Sequence, residues 1–338
     1  MWIRVLCLFA LLLTSLEGAL QSHNLKEINQ TTSYYLKKST LTPLARMLFE
    51  AYLAQAQNDF AYEMLKEKGS FQGSFVPVSL GIWNLFQPAT IISEYEDQYV
   101  DPDSSRIAAG IVEKYKARLL KESKGIKNYP VREGPGFWTS DKKPYGMNFG
   151  SLMPWHLKKC DQFRCPPIDH KPAFYRKELE ALKGHMKGLN LDKLTKINYW
   201  AYQADWSEIA NTYMDERNTP LELRLKVNAT LKTGLSDAMG AAFDAKYAYW
   251  IPRPAMLDLE IQPVIQAPTH PSYPSGHSTV GATAKVILTH FFPENKSEWD
   301  RLAEESGMSR LWAGIHFPMD HNEGKILGEK VGKQVVSE

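Results

Sequence analysis

The chain has 338 residues, 43% of them hydrophobic, with 40 basic against 38 acidic side chains and a formal net charge of +2. That balance excludes a binder of nucleic acid or membrane surfaces built on a basic face, and the length and composition exclude a disordered chain. One large domain or two closely packed halves can form a substantial core. The opening "MWIRVLCLFALLLTSLEGALQ" places Arg4 before an apolar run from Val5 to Leu13, with small residues at Gly18 and Ala19, the layout of a secretory signal peptide over residues 1–18. The run is too short for a membrane anchor, and no later stretch approaches the length needed to span a bilayer. The expected mature protein is secreted, and once Cys7 is removed it keeps Cys160 and Cys165, an even pair that predicts one small disulfide. Sequons at Asn29, Asn228 and Asn295 are compatible with N-glycosylation along the same route.

Residues 19–127 read as an N-terminal helical region. Thr42-Pro43 opens a helix with Leu44, Met47, Leu48, Ala51 and Tyr52 on one face, Thr as N-cap and Pro at the first position. A second helix starts at Asp103 or Ser104 and carries Ile107, Ile111, Tyr115 and Leu119 on one side, and residues 68–102 between the two show no sustained period. Residues 128–172 are rich in proline and aromatic residues and read as a long ordered loop. Its Trp138, Phe149, Trp155 and Phe163 require a surface to pack on. Helical character resumes at Glu178, so residues 173–338 form a helical core. Within it, Tyr199, Trp200, Tyr202 and Trp206 read as core packing. The last helix, after Asp320, sets Gly324, Gly328 and Gly332 on one face, which suits close helix packing. Few period-2 runs occur, so the fold class expected is all-α, a helical bundle.

Chemistry concentrates in three stretches of that core. In "APTHPSYPSGHS" (Ala267 to Ser278), Ser275 can cap a helix and Gly276 lets backbone approach a ligand, so the helix start becomes an anion site. In "KYAYWIPRP" (Lys246 to Pro254), Pro252 and Pro254 force Arg253 off the end of the helix that carries Lys246. In "SRLWAGIHFPMD" (Ser309 to Asp320), Gly314 is expected to end a helix, because six straight helical residues would point Arg310 and His316 apart. Arg253 and Arg310 offer planar forks for oxoanion oxygens, with Lys246 as a point charge. Asp320, four residues after His316, can accept from its Nδ1 on one helical turn and leave Nε2 free as nucleophile or ligand, while His277 faces it as acid/base.

Lys246…Arg253-Pro254, Pro274-Ser275-Gly276-His277 and Ser309-Arg310…His316…Asp320 together resemble the three-part signature of the phosphatidic acid phosphatase type 2 and vanadium haloperoxidase superfamily. "GPGFW", "MPWHLKKCDQFRCPPI" and the three stretches above are most similar to its vanadium-dependent haloperoxidase-like branch, over roughly Gly134 to Val331. The resemblance implies an all-α fold of the acid phosphatase/vanadium haloperoxidase type. It implies that Lys246, Arg253, Ser275, Gly276 and Arg310 hold vanadate or phosphate, that His316 binds vanadium or attacks phosphorus, that His277 is the acid/base and that Asp320 orients His316. His270, seven residues before His277, falls where relatives border the halide site, and a histidine there resembles bromoperoxidases. Pro252 departs from the aromatic residue common before Arg-Pro, and the chain is short for this branch. His156, His170, His185, His290 and His321 match no signature position and read as surface or packing residues.

Two chemistries follow from the resemblance. One is a secreted haloperoxidase that uses hydrogen peroxide to oxidise halide, bromide or iodide, at a vanadate held by His316, with a small organic acceptor. The other is a metal-free acid phosphatase in which His316 becomes a phosphohistidine on a phosphomonoester. A non-catalytic oxoanion-binding protein is a third reading, disfavoured because every acid/base and nucleophile position is filled. Vanadate and phosphate ask for the same donors, so the sequence leaves the first two open.

Overall fold

A computed structural model of the chain describes residues 41–69, 73–86, 102–123, 129–166 and 171–338, together with Asn24, Lys26 and Ile28. The residues read as a signal peptide and the sequon at Asn29 lie outside that set, as does His170. The described residues contain helices and no strand, as the all-α expectation requires. Two compact units divide the chain, one from residues 1–121 with 211–232 and one from residues 122–210 with 233–338.

The first unit contains α1 (Pro43–Lys68), α2 (Val76–Phe86) and α3 (Pro102–Ser123). Thr42 caps α1 by accepting from the Ala45 N–H, and Gly69 closes it at φ 70°, a left-handed turn that suits glycine. Helix α2 occupies a stretch that shows no period because it is apolar on nearly every side, including Val76, Val78, Ile82 and Trp83, all buried. Aromatic edge-to-face pairs tie the three helices together: Phe49 meets Trp83 at 5.6 Å between centroids, and Tyr52 meets Phe86 at 5.4 Å and Tyr115 at 5.7 Å.

The second unit contains α4 (Pro172–Met186), α5 (Leu191–Tyr202), the later part of α7 (Leu221–Tyr249), the short α8 (Pro254–Leu257), α9 (Gly276–Phe291), α10 (Lys296–Trp312) and α11 (Pro318–Val335). Helix α6 (Trp206–Glu216) lies between α5 and α7 in the chain. The glycine face of α11 meets α9 at backbone contact. A Cβ at Gly328 would stand 2.1 Å from the Thr279 carbonyl oxygen, and one at Gly324 would stand 2.8 Å from that of Ser275. Thr283 reinforces the seam by donating from Oγ1 to the Gly328 carbonyl at 2.9 Å. This approach brings the start of α9 beside the start of α11, where the Ser275 N–H donates to the Asp320 carbonyl at 2.9 Å.

The proline- and aromatic-rich stretch is ordered by two carboxylates on α7. Asp237 accepts from the N–H groups of Trp155, His156 and Leu157 at 2.7, 2.7 and 3.2 Å. Asp244 accepts from both ends of the Arg164 guanidinium at 2.6 and 2.9 Å and from the Tyr129 hydroxyl at 2.8 Å. Trp138 packs on Trp250 and Phe149 on Phe243, the surface those rings require.

The expected disulfide is absent: Cys160 and Cys165 are two buried thiols. The 3₁₀ turn Cys160–Phe163 sends them to different partners, Cys160 Sγ toward the Leu152 carbonyl at 3.4 Å and Cys165 Sγ toward the Glu323 carbonyl of α11 at 3.7 Å. Of the described sequons, Asn228 is half-buried inside α7 and its Nδ2 donates to Asn211 at 3.0 Å, a poor position for a glycan. Asn295 ends a 3₁₀ turn and is half-exposed.

Candidate functional site

All three signature stretches fall within the second unit. Lys246 lies in the last turn of α7. Immediately after that helix, Trp250 takes φ 54°, an unusual value for a bulky residue, and its N–H still closes on the Lys246 carbonyl at 2.9 Å. The chain therefore doubles back, and Arg253 caps α8 with its side chain returned toward the interior. Helix α10 ends at Trp312, and Gly314, at φ 74°, turns the chain so that His316 precedes α11. Here the geometry departs in detail from the expectation of one helical turn. Pro318 starts α11, so His316 lies just outside it, yet Asp320 still reaches back to accept from His316 Nδ1 at 2.8 Å and from the Phe317 N–H at 3.0 Å.

Arg253 is buried and its guanidinium meets both candidate histidines. Nη1 donates to the Ile315 carbonyl at 2.7 Å and stands 3.0 Å from His316 Nε2, while Nη2 is 3.2 Å from His270 Nδ1 and Nε donates to the His270 carbonyl at 3.2 Å. Because guanidinium can only donate, His316 Nε2 presents its lone pair to Arg253, and Nδ1 carries the proton given to Asp320. Arg310 donates from Nη2 to the Ile197 carbonyl of α5 at 2.8 Å and from Nε to Ser309 Oγ at 2.9 Å. His277 Nε2 lies 2.9 Å from the Trp200 carbonyl, which fixes the proton on Nε2 and leaves Nδ1 as the basic nitrogen. Helix α5 thus faces the site with backbone carbonyls, one on Arg310 and one on His277. His270 packs its ring on Phe243 at 5.1 Å.

Lys246 is turned differently from a direct anion donor. Its Nζ donates to the carbonyls of Pro271, Ser272 and Pro274 at 3.0, 2.6 and 2.5 Å, so its three hydrogens hold the loop that leads into α9.

The electrostatics show that these groups share one dry space. Burial, then Arg253, push the Lys246 ammonium well below its ordinary pKa, with Asp320 opposing. Burial lowers Arg253 and Arg310 to about 10 each. His277 is pushed down to about 3 by burial first and the Arg310 charge second, with Lys246 and Arg253 adding to it, and His316 is driven well below its usual range by burial, Arg253 and Lys246. Burial raises Asp320 to about 6 against the hydrogen bond from Ser272 and the nearby cations. Burial, Lys246 and Arg253 hold His270 well below its ordinary pKa too, so the three basic side chains surround three neutral imidazoles and one carboxylate, a balance that favours a multiply charged anion.

The start of α9 completes the arrangement. Ser275 caps it through Oγ, accepting from the Ser278 N–H at 3.4 Å, and the N–H groups of Gly276 and His277 are the first two of the helix, which have no partner within it. A Cβ built on Gly276 would meet only the thioether of Met239, at 3.6 Å and beyond, and Gly276 does not need a left-handed conformation. Nothing in the chain itself demands glycine there, which leaves the bare face to a ligand. Among the described residues no group of three or more His, Cys, Asp or Glu side chains could hold a metal ion, so a metal here would be held through one nitrogen, His316 Nε2, with the cations around its oxygens.

Sequence reasoning missed several residues that matter here. Asp237 and Asp244 sit on the buried face of α7, and a carboxylate at a core position is a signal that could have found them. Ser272 also escaped notice: its Oγ donates to Asp320 Oδ2 at 2.5 Å, while His321, read as a surface or packing residue, is buried and joins Ser278 Oγ at 2.9 Å to Glu304 at 3.3 Å. Of the other histidines assigned to surface or packing, His156 joins Thr233 to Glu338, His290 is exposed and His185 is half-buried.

Residues 227–336 match the PAP2 superfamily. Over 57 residues the chain is 37% identical to a non-specific acid phosphatase of Salmonella typhimurium, covering 17% of this chain and 23% of that protein. It is 28% identical over 99 residues to a vanadium-dependent bromoperoxidase of Corallina officinalis, covering 21% of this chain and 17% of that protein. A longer match, 27% identical over 172 residues, reaches a non-specific acid phosphatase of Salmonella typhi and covers 48% of this chain and 67% of that protein. The first of these curated relatives are thus matched over less than a quarter of their own length. Among solved structures, a bacterial vanadium-dependent iodoperoxidase superposes with a TM-score of 0.73 at 18% identity, covering 93% of this chain and 96% of that one. A bacterial vanadium-dependent chloroperoxidase gives 0.70 at 12% identity, covering 88% and 92%. At those identities the likeness establishes the shared fold.

Proposed function

We propose that this chain, whose residues 227–336 match the PAP2 superfamily and carry the three signature stretches, is a secreted vanadium-dependent haloperoxidase, oxidising bromide or iodide with hydrogen peroxide. The observation that carries this reading is the state of His316: a neutral imidazole with Nδ1–H on Asp320 and its Nε2 lone pair turned toward Arg253. That nitrogen can make one bond to the centre of an oxoanion, and the cations beside it can hold the oxygens. The likeness to haloperoxidase structures over about nine-tenths of the chain supports the same reading.

The donor set fits vanadate. His316 Nε2 would hold the vanadium, Arg253 and Arg310 would hold its oxygens, and the N–H groups of Gly276 and His277 would approach from the start of α9. Bound vanadate supplies a Lewis-acidic centre that activates peroxide toward halide. The chain's own part is binding, orientation and proton handling. Lys246 contributes through the loop it holds and through its charge. His277, neutral in the free protein with Nδ1 open, is positioned as base, and an anion that offsets the Arg310 charge raises its proton affinity, so that the same ring can return the proton. His270, between Arg253 and Phe243, is the candidate for the halide border, since its ring lines the site without bonding to Asp320.

A specific observation favours a second reading. One curated match, over 172 residues, is to a non-specific acid phosphatase, and phosphate requires the same donors. In that case His316 Nε2 attacks phosphorus and forms a phosphohistidine, while His277 protonates the departing alcohol oxygen. Parallel assays separate the two: bromination of a dye with peroxide and orthovanadate, and hydrolysis of an aryl phosphate without metal. The first activity alone supports the haloperoxidase and the second alone the phosphatase. Loss of neither activity in His316→Ala would refute both.

A further inference from the structure

Asp320 Oδ2 is crowded and Oδ1 is bare. Oδ2 accepts from Ser272 Oγ at 2.5 Å, from His316 Nδ1 at 2.8 Å and from the Phe317 N–H at 3.0 Å, whereas Oδ1 is buried without a partner. Ser272 is itself fully buried, and its Oγ also lies 3.3 Å from His316 Nδ1. A hydroxyl has one hydrogen. Ser272 spends it on Asp320, so toward His316 its oxygen can only accept. Nδ1 is then surrounded by two acceptors, the Asp320 carboxylate and the Ser272 oxygen, and must carry hydrogen. The competing tautomer, with the proton on Nε2, would point the Nδ1 lone pair at both oxygens and an N–H at the Arg253 guanidinium, a donor facing a donor. Protonating Asp320 offers no escape, since Oδ2 already receives three donors and a proton on Oδ1 would find no acceptor. The backbone around Ser272 is pinned as well: its carbonyl and those of Pro271 and Pro274 accept from Lys246.

We propose that Ser272 is a positioning residue of the site, which together with Asp320 locks His316 as its Nδ1–H tautomer and so keeps Nε2 aimed as a lone pair at the bound oxoanion. The proposal rests on the functional reading only in naming what Nε2 receives; the tautomer lock is a property of the protein without ligand. Ser272 touches no ligand itself and acts through Asp320 and His316. Lys246 belongs to the same device, since it fixes the loop from which Ser272 reaches Asp320.

The test uses the full chain labelled with ¹⁵N-histidine, with the His316 signals identified from their loss in His316→Ala. In the wild type without ligand, the Nδ1–H of His316 should be visible and shifted downfield by its hydrogen bond, with Nε2 at the shift of an unprotonated nitrogen. In Ser272→Ala the tautomers should mix, and binding of inorganic phosphate and of orthovanadate, measured by calorimetry without turnover, should weaken by about 10- to 100-fold, the usual loss when a partner behind a ligating group is removed. Ser272→Thr, which keeps the hydroxyl, should restore the Nδ1–H signal and most of the affinity. Thr283→Val, which deletes a buried hydroxyl within α9, should change neither. A wild-type His316 protonated on Nε2 overturns the proposal even if Ser272→Ala proves unstable, and so does a folded Ser272→Ala with the wild-type tautomer and affinity. A locked tautomer in a wild type that binds neither anion would leave Ser272 its positioning role and sink the oxoanion reading instead.

Discussion

Lys246, Arg253 and Arg310 are each at most 2% exposed, and Asp320 is the carboxylate that shares their space. Both arginines are pushed down to about 10 by burial, so the ligand-free protein carries positive charge that its own groups do not balance. A multiply charged oxoanion relieves this and adds charge-assisted hydrogen bonds, each contributing about 1.5–3 kcal/mol. Binding to the folded state alone stabilises it by about 2.7 kcal/mol when the free anion stands at 100 times its Kd, and for a chain of this size that corresponds to a Tm rise of roughly 4 °C. Scanning fluorimetry in phosphate, in orthovanadate and in chloride at equal ionic strength reads the effect directly. Phosphate and orthovanadate should raise Tm and chloride should not, because screening alone acts on exposed charges. Arg253→Met should abolish the rise, since it removes the guanidinium that meets both His316 and His270. Equal shifts in chloride, or a full shift in Arg253→Met, would refute the claim that these cations form an anion site.

Three further outcomes are expected. Gly276→Ala should leave the ligand-free Tm within about 1 °C of wild type, since Cβ meets only ordinary contacts, while weakening phosphate binding at least about tenfold by crowding the start of α9; unchanged binding would show that the bare face serves no ligand. Gly328→Ala should lower stability by about 1–3 kcal/mol in denaturant titration despite alanine's better helix propensity, because its Cβ would fall 2.1 Å from the Thr279 carbonyl oxygen, and a stabilised variant would contradict the close seam of α9 and α11. His321 is held below its ordinary 6.5 by burial and by Lys325 and His185, against Glu304, so the unfolded chain binds the extra proton first and the stability His321 contributes is present above about pH 6.5 and lost as pH falls below it. His321→Gln should therefore cost more stability at about pH 7.5 than at about pH 5, in urea titrations of variant against wild type, and a pH-independent difference would remove this role.

The parts of this molecule that were legible in the sequence are those where a local rule dictates geometry. Thr42-Pro43 and Ser275-Gly276 announce helix starts because capping and the fixed φ of proline act within a few residues, and Gly314 announces a helix end because few other residues take φ 74° without strain. The three signature stretches were legible as one site because isolated cations in an apolar core need an anion to gather around. The disulfide failed for a matching reason: the even cysteine count speaks of compartment, whereas the direction of each Sγ is decided by the turn at Cys160–Phe163 and by the carbonyls of Leu152 and Glu323. Helix α2 was hidden because an element apolar on nearly every side has no period to read.

The residues that escaped are those whose role is defined by a partner far along the chain. Ser272 is an unremarked serine in a proline-rich loop until α11 brings Asp320 to it, 48 residues away, and Lys246 reads as an anion donor until the same loop presents three carbonyls to its ammonium. The two observations belong together. A lysine that spends its hydrogens on the loop holds Ser272 in place, Ser272 holds the Asp320 carboxylate, and that carboxylate holds the proton of His316 on the side away from the site. A signature read as a set of ligands therefore divides in the folded chain into groups that face the anion, Arg253, Arg310 and the start of α9, and groups that face each other so that one imidazole nitrogen stays open.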